Sequence, residues 1–330
     1  MIRLHRVSEA KTGTDSSRAE SDDWLDVVWI DLHQPTPDEI KQVERKLGIE
    51  LPTRNETQEI EISSRLYSEN GALFMTATIM VRAEKPDLST AAVTFIYRSQ
   101  RLVTLRFDSP TPFSTFALRF QRNRGAYGTA QKVLVGLFDE VVDRVADILE
   151  FVAADLNDLS TLIFTEEGVE PRALDFTKLL ARIGRNGVRT ANARESLVSL
   201  QRLHGFFTET CSSQGGEELD ENWRIAGKDV AALSDHATFM SNKVNFALDA
   251  TLGRVNSEQN KINSEQSRII KLFSVLAVVL LPPTLIASIY GMNFEHIPEL
   301  KWKWGYPFSL TLMLISAIVP YLIFRYKRWL

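Results

Sequence analysis

The 330 residues carry 38 Lys and Arg against 42 Asp and Glu, and 44% of the side chains are hydrophobic, enough for one sizeable folded domain and more. From residue 251 onward nine basic side chains face four acidic, leaving 29 basic against 38 acidic before it, and this acidic front argues against nucleic acid as a partner because phosphate binding needs a basic face. Cys211 is the only cysteine, which excludes an intrachain disulfide and a thiolate metal cluster and suits a reducing compartment.

Met1 to Trp24 has no apolar core of signal-peptide length, and Ser8 to Asp23 is a polar stretch without a recognisable motif. The first ordered element is expected at Val27 to Leu32, a short apolar strand. Pro35-Thr36-Pro37-Asp38 then starts a helix that ends at Gly48, proline early and glycine late. Arg65 to Ser68 and Ala72 to Val81 read as strands around the hairpin signal Asn70-Gly71. Ala92 to Tyr97 and Leu102 to Phe107 add two more β-rich runs with Ser99-Gln100 between them, so a mixed sheet between helices is expected.

After Pro112 the pattern turns helical. Val133, Leu137, Val141, Val145, Ile148, Val152 and Leu156 recur at three-to-four spacing through Thr129 to Phe164, the mark of one buried stripe. Pro171 opens a further helical segment through Leu179, Ile183, Leu197 and Leu200 to about Thr210, and Gly215-Gly216 closes it. From Glu217 the helical pattern runs to Tyr290, with Gly227 and Gly253 as expected bends, since glycine costs a helix about 1 kcal/mol.

Two long uncharged runs close the chain, Leu272 to Tyr290 and Gly305 to Phe324. At about 1.5 Å per residue each spans roughly 30 Å, the thickness of a hydrocarbon core. Arg268 and Lys271 flank the first, and Arg325, Lys327 and Arg328 follow the second. The loop between them balances Glu295 and Glu299 against Lys301 and Lys303, so both outer ends are expected in the cytoplasm. The resulting plan is an α/β cytoplasmic domain over residues 1–250 and a stalk over 251–290 that becomes a membrane span at about 272. An outer loop over 291–304, a second span over 305–324 and a basic cytoplasmic tail over 325–330 complete it. Trp302, Trp304 and Tyr306 stand where an interfacial aromatic belt is expected.

Two spans per chain enclose no aqueous path, so conduction requires several copies around an axis. A heptad seam runs through Asn256, Asn263, Ile270, Ala277 and Thr284, with Asn260, Ser267, Ser274, Leu281 and Ser288 at the companion position. Small polar residues there suit a water-filled path with Ile270 and Leu281 as apolar constrictions; the same residue types also glue transmembrane helices together. Pro282-Pro283 removes two backbone donors and predicts a bend. Gly291 is placed to stop the helix in a left-handed conformation, leaving Asn293 at the outer mouth, either as a helix cap or as a carbonyl ring for waters held by a cation.

Tyr290-Gly291-Met292-Asn293 at the end of the first span, followed by Phe294-Glu295-His296-Ile297-Pro298-Glu299-Leu300-Lys301-Trp302, resembles the CorA family of divalent-cation channels. The resemblance implies an inner-membrane homo-oligomer, a pentamer, that moves Mg²⁺ and also Co²⁺ and Ni²⁺, with Gly291, Met292 and Asn293 in selectivity. It further implies a soluble domain acting as a sensor whose acidic residues bind intracellular Mg²⁺ and hold the channel closed. The candidates are Glu84, Asp87, Asp229 and Asp235, with Glu295 and Glu299 concentrating cations outside. A zinc-transporting branch shares the Gly-Met-Asn signature, and Ile297 stands where the magnesium branch would have Met. A membrane-anchored scaffold that conducts nothing is the rival from another class. No phosphate loop, His-Glu-x-x-His site, nucleophile elbow or dinucleotide fingerprint appears, so neither an enzyme nor an organic cofactor is expected.

Overall fold

The computed structural model describes residues 1–7, 24, 26–81, 89–98, 100–164, 175–213, 219–293 and 301–327. They form two compact units, Met1–Thr251 and Leu252–Leu330.

The first unit holds strands β1 (Ile2–Arg6), β2 (Val27–His33), β3 (Leu66–Glu69), β4 (Ala72–Val81), β5 (Ser89–Arg98) and β6 (Arg101–Arg106). They make one mixed sheet in the order β1-β2-β6-β5-β4-β3, with β2 and β6 parallel and every other pair antiparallel. The sheet begins earlier than the sequence suggests, at β1. That strand has little apolar content, and its buried contact is a histidine: His5 stacks on Trp29 at 4.0 Å. Burial holds the His5 imidazole down at about pKa 4. Asn70 and Gly71, at φ 50° and 74°, make the two left-handed positions that a tight β3–β4 hairpin requires.

Side chains alternate across the sheet, so each strand feeds two cores. On one face Ile30, Leu32, Phe74, Ile96, Val103 and Leu105 pack with Val43 and Leu47 of helix α1 (Pro37–Leu47). Helix α1 is entered through a capping box in which Thr36 and Glu39 satisfy each other's backbone N–H. On the other face Trp29, Met75, Phe95 and Leu102 meet the helices that follow β6. These are α3 (Thr111–Arg122), α4 (Ala130–Phe164) and α5 (Phe176–Ser213), while a single turn, α2 (Ile62–Arg65), precedes β3. All seven stripe residues of α4 named above are buried, as are Leu179, Ile183, Leu197 and Leu200 on α5.

Among the described residues a charge pair lies inside the sheet. Arg106 on β6 donates through Nε and Nη2 to the two carboxylate oxygens of Asp31 on β2, at 2.9 and 2.8 Å, both side chains about 95% covered. Thr104 Oγ1 donates to Asp31 Oδ1 at 3.0 Å and accepts from Trp29 Nε1 at 3.0 Å, so the buried polar atoms satisfy one another.

The last long helix, α6, is assigned over Glu221–Tyr290, and the boundary between the two units falls inside it. Within the first unit its buried residues are Trp223, Ala226, Val230, Ala237, Met240, Val244, Ala247 and Thr251, spaced by three and four apart from one step of seven between Val230 and Ala237. Gly227 lies inside the continuous helix assignment. A Cβ there would lie 2.4 Å from His204 Cε1, so the residue is small because α5 passes close by. In the second unit α6 continues through Pro282 and Pro283 as helix; Thr284 Oγ1 donates to the Leu280 carbonyl at 2.7 Å. Helix α7 covers Gly305–Tyr326.

Candidate functional site

The second unit is unlike a soluble domain. Its two helices carry Leu272, Phe273, Leu281 and Leu285 at more than 60% exposure on α6, and Leu310, Leu314, Ile315 and Leu322 exposed on α7. None of the apolar 18-residue stretch of α6 is buried, and only 6% of that of α7. A contiguous apolar surface of this extent marks a membrane or protein contact. Both helices have the length and composition of membrane spans.

All ten seam residues, Asn256, Asn260, Asn263, Ser267, Ile270, Ser274, Ala277, Leu281, Thr284 and Ser288, are exposed. In heptad count they fall on positions that the buried stripe of residues 221–251 does not use, which leaves them without an intradomain packing role. Gln259 Nε2 donates to Asn263 Oδ1 at 3.1 Å, a hydrogen bond along the helix surface. The described donors on this face are therefore neutral amides and hydroxyls.

The helix stop differs from expectation in one detail. Gly291 is not left-handed; among the described glycines only Gly48 and Gly71 have positive φ. Its N–H still reaches the Ala287 carbonyl at 2.9 Å, so the α-helical bond pattern runs one residue past Tyr290. The break comes at Met292, whose N–H makes a tighter bond to the Ile289 carbonyl at 3.3 Å. Met292 and Asn293 are exposed just beyond it. Trp302, Trp304 and Tyr306 are also exposed before and within the first turn of α7, Trp302 against Phe308 at 5.7 Å. Glu295 and Glu299 lie outside the described residues, as do Glu84 and Asp87.

The two remaining acidic candidates, Asp229 and Asp235, are exposed on α6 and are not joined in one cluster. Among the described residues no group of three His, Cys, Asp or Glu side chains has the spacing to hold a metal ion. Asp229 instead belongs with a carboxylate that sequence reading passed over. Asp139 on α4 is raised to about pKa 6, first by burial and then by Asp143, Asp229 and Asp220, with Arg119 opposing. The signal was weak because Asp139 and Asp229 are ninety residues apart in sequence and meet only once α4 and α6 pack.

Comparison with known proteins places this architecture. The family described as CorA-like Mg2+ transporter protein matches residues 24–328. "Magnesium transport protein CorA" of Salmonella typhimurium is 36% identical over 313 residues, 94% of each chain, and the protein of the same name from Escherichia coli K12 gives the same identity and coverage. Among solved structures the complete CorA magnesium transporter from Methanocaldococcus jannaschii superposes with a TM-score of 0.65 at 17% identity, covering 94% of both chains. The mixed sheet, the long helix and the apolar C-terminal pair are thus the fold of those structures, and the curated relatives are transport proteins rather than enzymes. The chain belongs to the CorA family.

Proposed function

We propose that this chain is a membrane channel for Mg²⁺, driven by the membrane potential and built as a ring of identical chains, five in number. The observation that carries the reading is the match to magnesium transport proteins along 94% of the chain, joined to Gly291-Met292-Asn293 at the end of an exposed apolar helix. In this reading the seam from Asn256 to Ser288 faces the ring axis, where neutral amides and hydroxyls receive a hydrated cation without stripping it. Mg²⁺ sheds its water reluctantly, so outer-shell acceptors suit it. The Asn293 amides form the outermost ring and select the hydrated ion, and Ile270 and Leu281 are constrictions that close by dewetting. A potential of 100 mV supplies about 2.3 kcal/mol per charge and about twice that for a divalent ion, which removes the need for nucleotide hydrolysis.

The remaining parts follow the same reading. Both termini lie in the cytoplasm of a cell whose inner membrane holds the two spans, with Glu295 and Glu299 gathering cations outside. Co²⁺ and Ni²⁺ pass with Mg²⁺. Cytoplasmic Mg²⁺ closes the channel through acidic residues, for which Asp229, Asp235, Glu84 and Asp87 remain the candidates. Asp229 has the better support, since it already contributes to the unfavourable charge around Asp139.

The test is Mg²⁺ uptake into proteoliposomes with an entrapped indicator, at several membrane potentials, comparing the wild type with Asn293→Ala and running Zn²⁺ in parallel. Potential-driven Mg²⁺ entry that drops at least tenfold in the variant supports the reading. Zn²⁺ movement without Mg²⁺ movement assigns the chain to zinc transport instead, and no movement of either ion through well-folded oligomers makes it a scaffold. Unchanged inhibition by internal Mg²⁺ in an Asp229→Asn, Asp235→Asn variant removes those two residues from regulation.

A further inference from the structure

The first unit contains a half-open cleft of about 580 Å³ that the ion path does not use. It lies where β4 loses its outer neighbour: β3 pairs with β4 only over Ala72 to Met75, so the edge from Thr76 onward is left to α2 and α5. Thr78 shows how that edge is satisfied. Its N–H donates to Ser199 Oγ on α5 at 2.9 Å, and its hydroxyl accepts from Arg65 Nη1 at 2.9 Å.

Among the described residues three guanidinium groups line the cleft, Arg65 from the end of α2 and Arg194 and Arg202 from α5, against one carboxylate, Glu195. This is the reverse of the balance in residues 1–250, where acidic side chains outnumber basic ones. Arg65 is held in place by Nε donating to the Glu59 carbonyl at 2.5 Å in addition to its bond to Thr78. Arg194 and Arg202 are exposed and have no ion-pair partner among the described residues. Among the described residues apolar side chains also line the cleft largely uncovered, Ile60 at 88% and Ile62 at 52% exposure, with Val198 on α5.

We propose that this cleft binds a nucleoside polyphosphate, its phosphates on Arg65, Arg194 and Arg202 and its base against Ile60, Ile62 and Val198. Guanidinium forks match phosphate oxygens two at a time, which is why Arg dominates phosphate recognition. A net excess of two positive charges calls for a polyanion rather than a single carboxylate. The volume lies within the usual range for small-molecule sites, which combine an apolar wall with a few convergent polar groups. Inorganic phosphate alone would leave the isoleucines uncovered. Burial disfavours the charged form of Arg65; the attraction of Glu195, which outweighs the repulsion of Arg202, opposes it, and an anion in the cleft adds to that attraction.

The experiment is calorimetric titration of the full chain in detergent, with EDTA present so that divalent ions do not enter, using ATP and inorganic triphosphate as the two probes. Saturable ATP binding is expected, weakened roughly tenfold or more by Arg194→Ala and by Arg202→Ala, because each removes charge-assisted hydrogen bonds. Both side chains are exposed and hold no other element in place, so these variants retain the fold; far-UV circular dichroism checks it. Inorganic triphosphate is expected to bind more weakly than ATP and to be insensitive to Ile62→Ser, which weakens ATP. Absence of ATP binding by folded wild type, or equal affinity in the two Arg variants, overturns the site. Equal affinity for the two probes overturns its nucleoside part. The readout involves no ion flux, so its failure is separate from any failure of the channel reading.

Discussion

Gly227→Ala offers a sharp test of how α5 and α6 pack, because helix propensity and steric fit predict opposite signs. In an open helix the change gains about 1 kcal/mol, since alanine restricts the unfolded chain and suits the helical backbone. At this position the new methyl would sit 2.4 Å from His204 Cε1 and 2.5 Å from His204 Nε2, where ordinary contact begins near 3.4 Å. The ring has nowhere easy to go. It stacks on Trp223 at 4.6 Å and 16°, and its Nε2–H donates to the Trp223 carbonyl at 2.8 Å. Trp223 is itself fully buried and donates from Nε1 to Thr208 Oγ1 at 3.0 Å. Displacing His204 forfeits a hydrogen bond worth about 1 kcal/mol and adds about 1–3 kcal/mol of overpacking strain. The net is a loss of about 1–3 kcal/mol. In a unit of this size that lowers the melting temperature by roughly 2–4 °C per kcal/mol. Near-UV circular dichroism of the protein in detergent, at fixed protein and detergent concentrations, follows the tryptophans through the transition. Gly205→Ala is the control: a Cβ there meets nothing within 4 Å, so its melting temperature should rise. If Gly227→Ala melts at or above the wild type while Gly205→Ala also rises, the steric account is wrong. In a His204→Ala background Gly227→Ala should no longer destabilise, because the methyl then has room.

Asp31→Asn should destabilise the first unit by about 3–5 kcal/mol, since it leaves the Arg106 guanidinium buried without its counter-charge; replacing both residues with apolar ones should cost much less, and urea unfolding compares the two. Asp139 predicts a pH dependence of definite sign. Its folded pKa of about 6 exceeds the ordinary 3.8, so the folded state holds the proton more tightly and stability falls as pH rises from about 4 through about 6. Asp139→Asn should therefore stabilise the protein at pH 7 to 8 by roughly 1 kcal/mol, allowing for screening at a partly exposed carboxyl, and make no difference at pH 4. Melting curves at the two pH values check it. Thr36→Ala, which opens the capping box at α1, should cost about 1 kcal/mol in the same measurement.

What could be read from the sequence follows from the range of the interaction that specifies each feature. The β3–β4 hairpin was legible because Asn70-Gly71 is a local device, two left-handed residues in a row. The stripes of α4 and α5 were legible because burial on one helix face repeats every three or four residues. The apolar C-terminal helix pair was legible from length and lack of charge, and the family from a short motif between the two helices. β1 escaped because its buried contact is His5 on Trp29, two residues from different strands, and no apolar periodicity records a stacked imidazole. The close contact at Gly227 was not legible for the same reason: glycine in a helix signals a bend or a close neighbour, and the neighbour, His204, sits on another helix. The cleft of Arg65, Arg194 and Arg202 is the extreme case. Its cations come from a single helical turn before β3 and from two positions on α5, over a hundred residues later, and they converge only because β4 outruns β3 and leaves an edge for α5 to cover. Local signals thus specify elements, whereas sites assembled from separate elements depend on packing that no short window contains. That distinction also ranks the candidates for regulation: Asp229 is tied to Asp139 by the packing of α4 and α6, whereas Asp235 rests on sequence position alone. Loss of Mg²⁺ inhibition in Asp229→Asn with inhibition retained in Asp235→Asn would show that packing, and not position, carries the information.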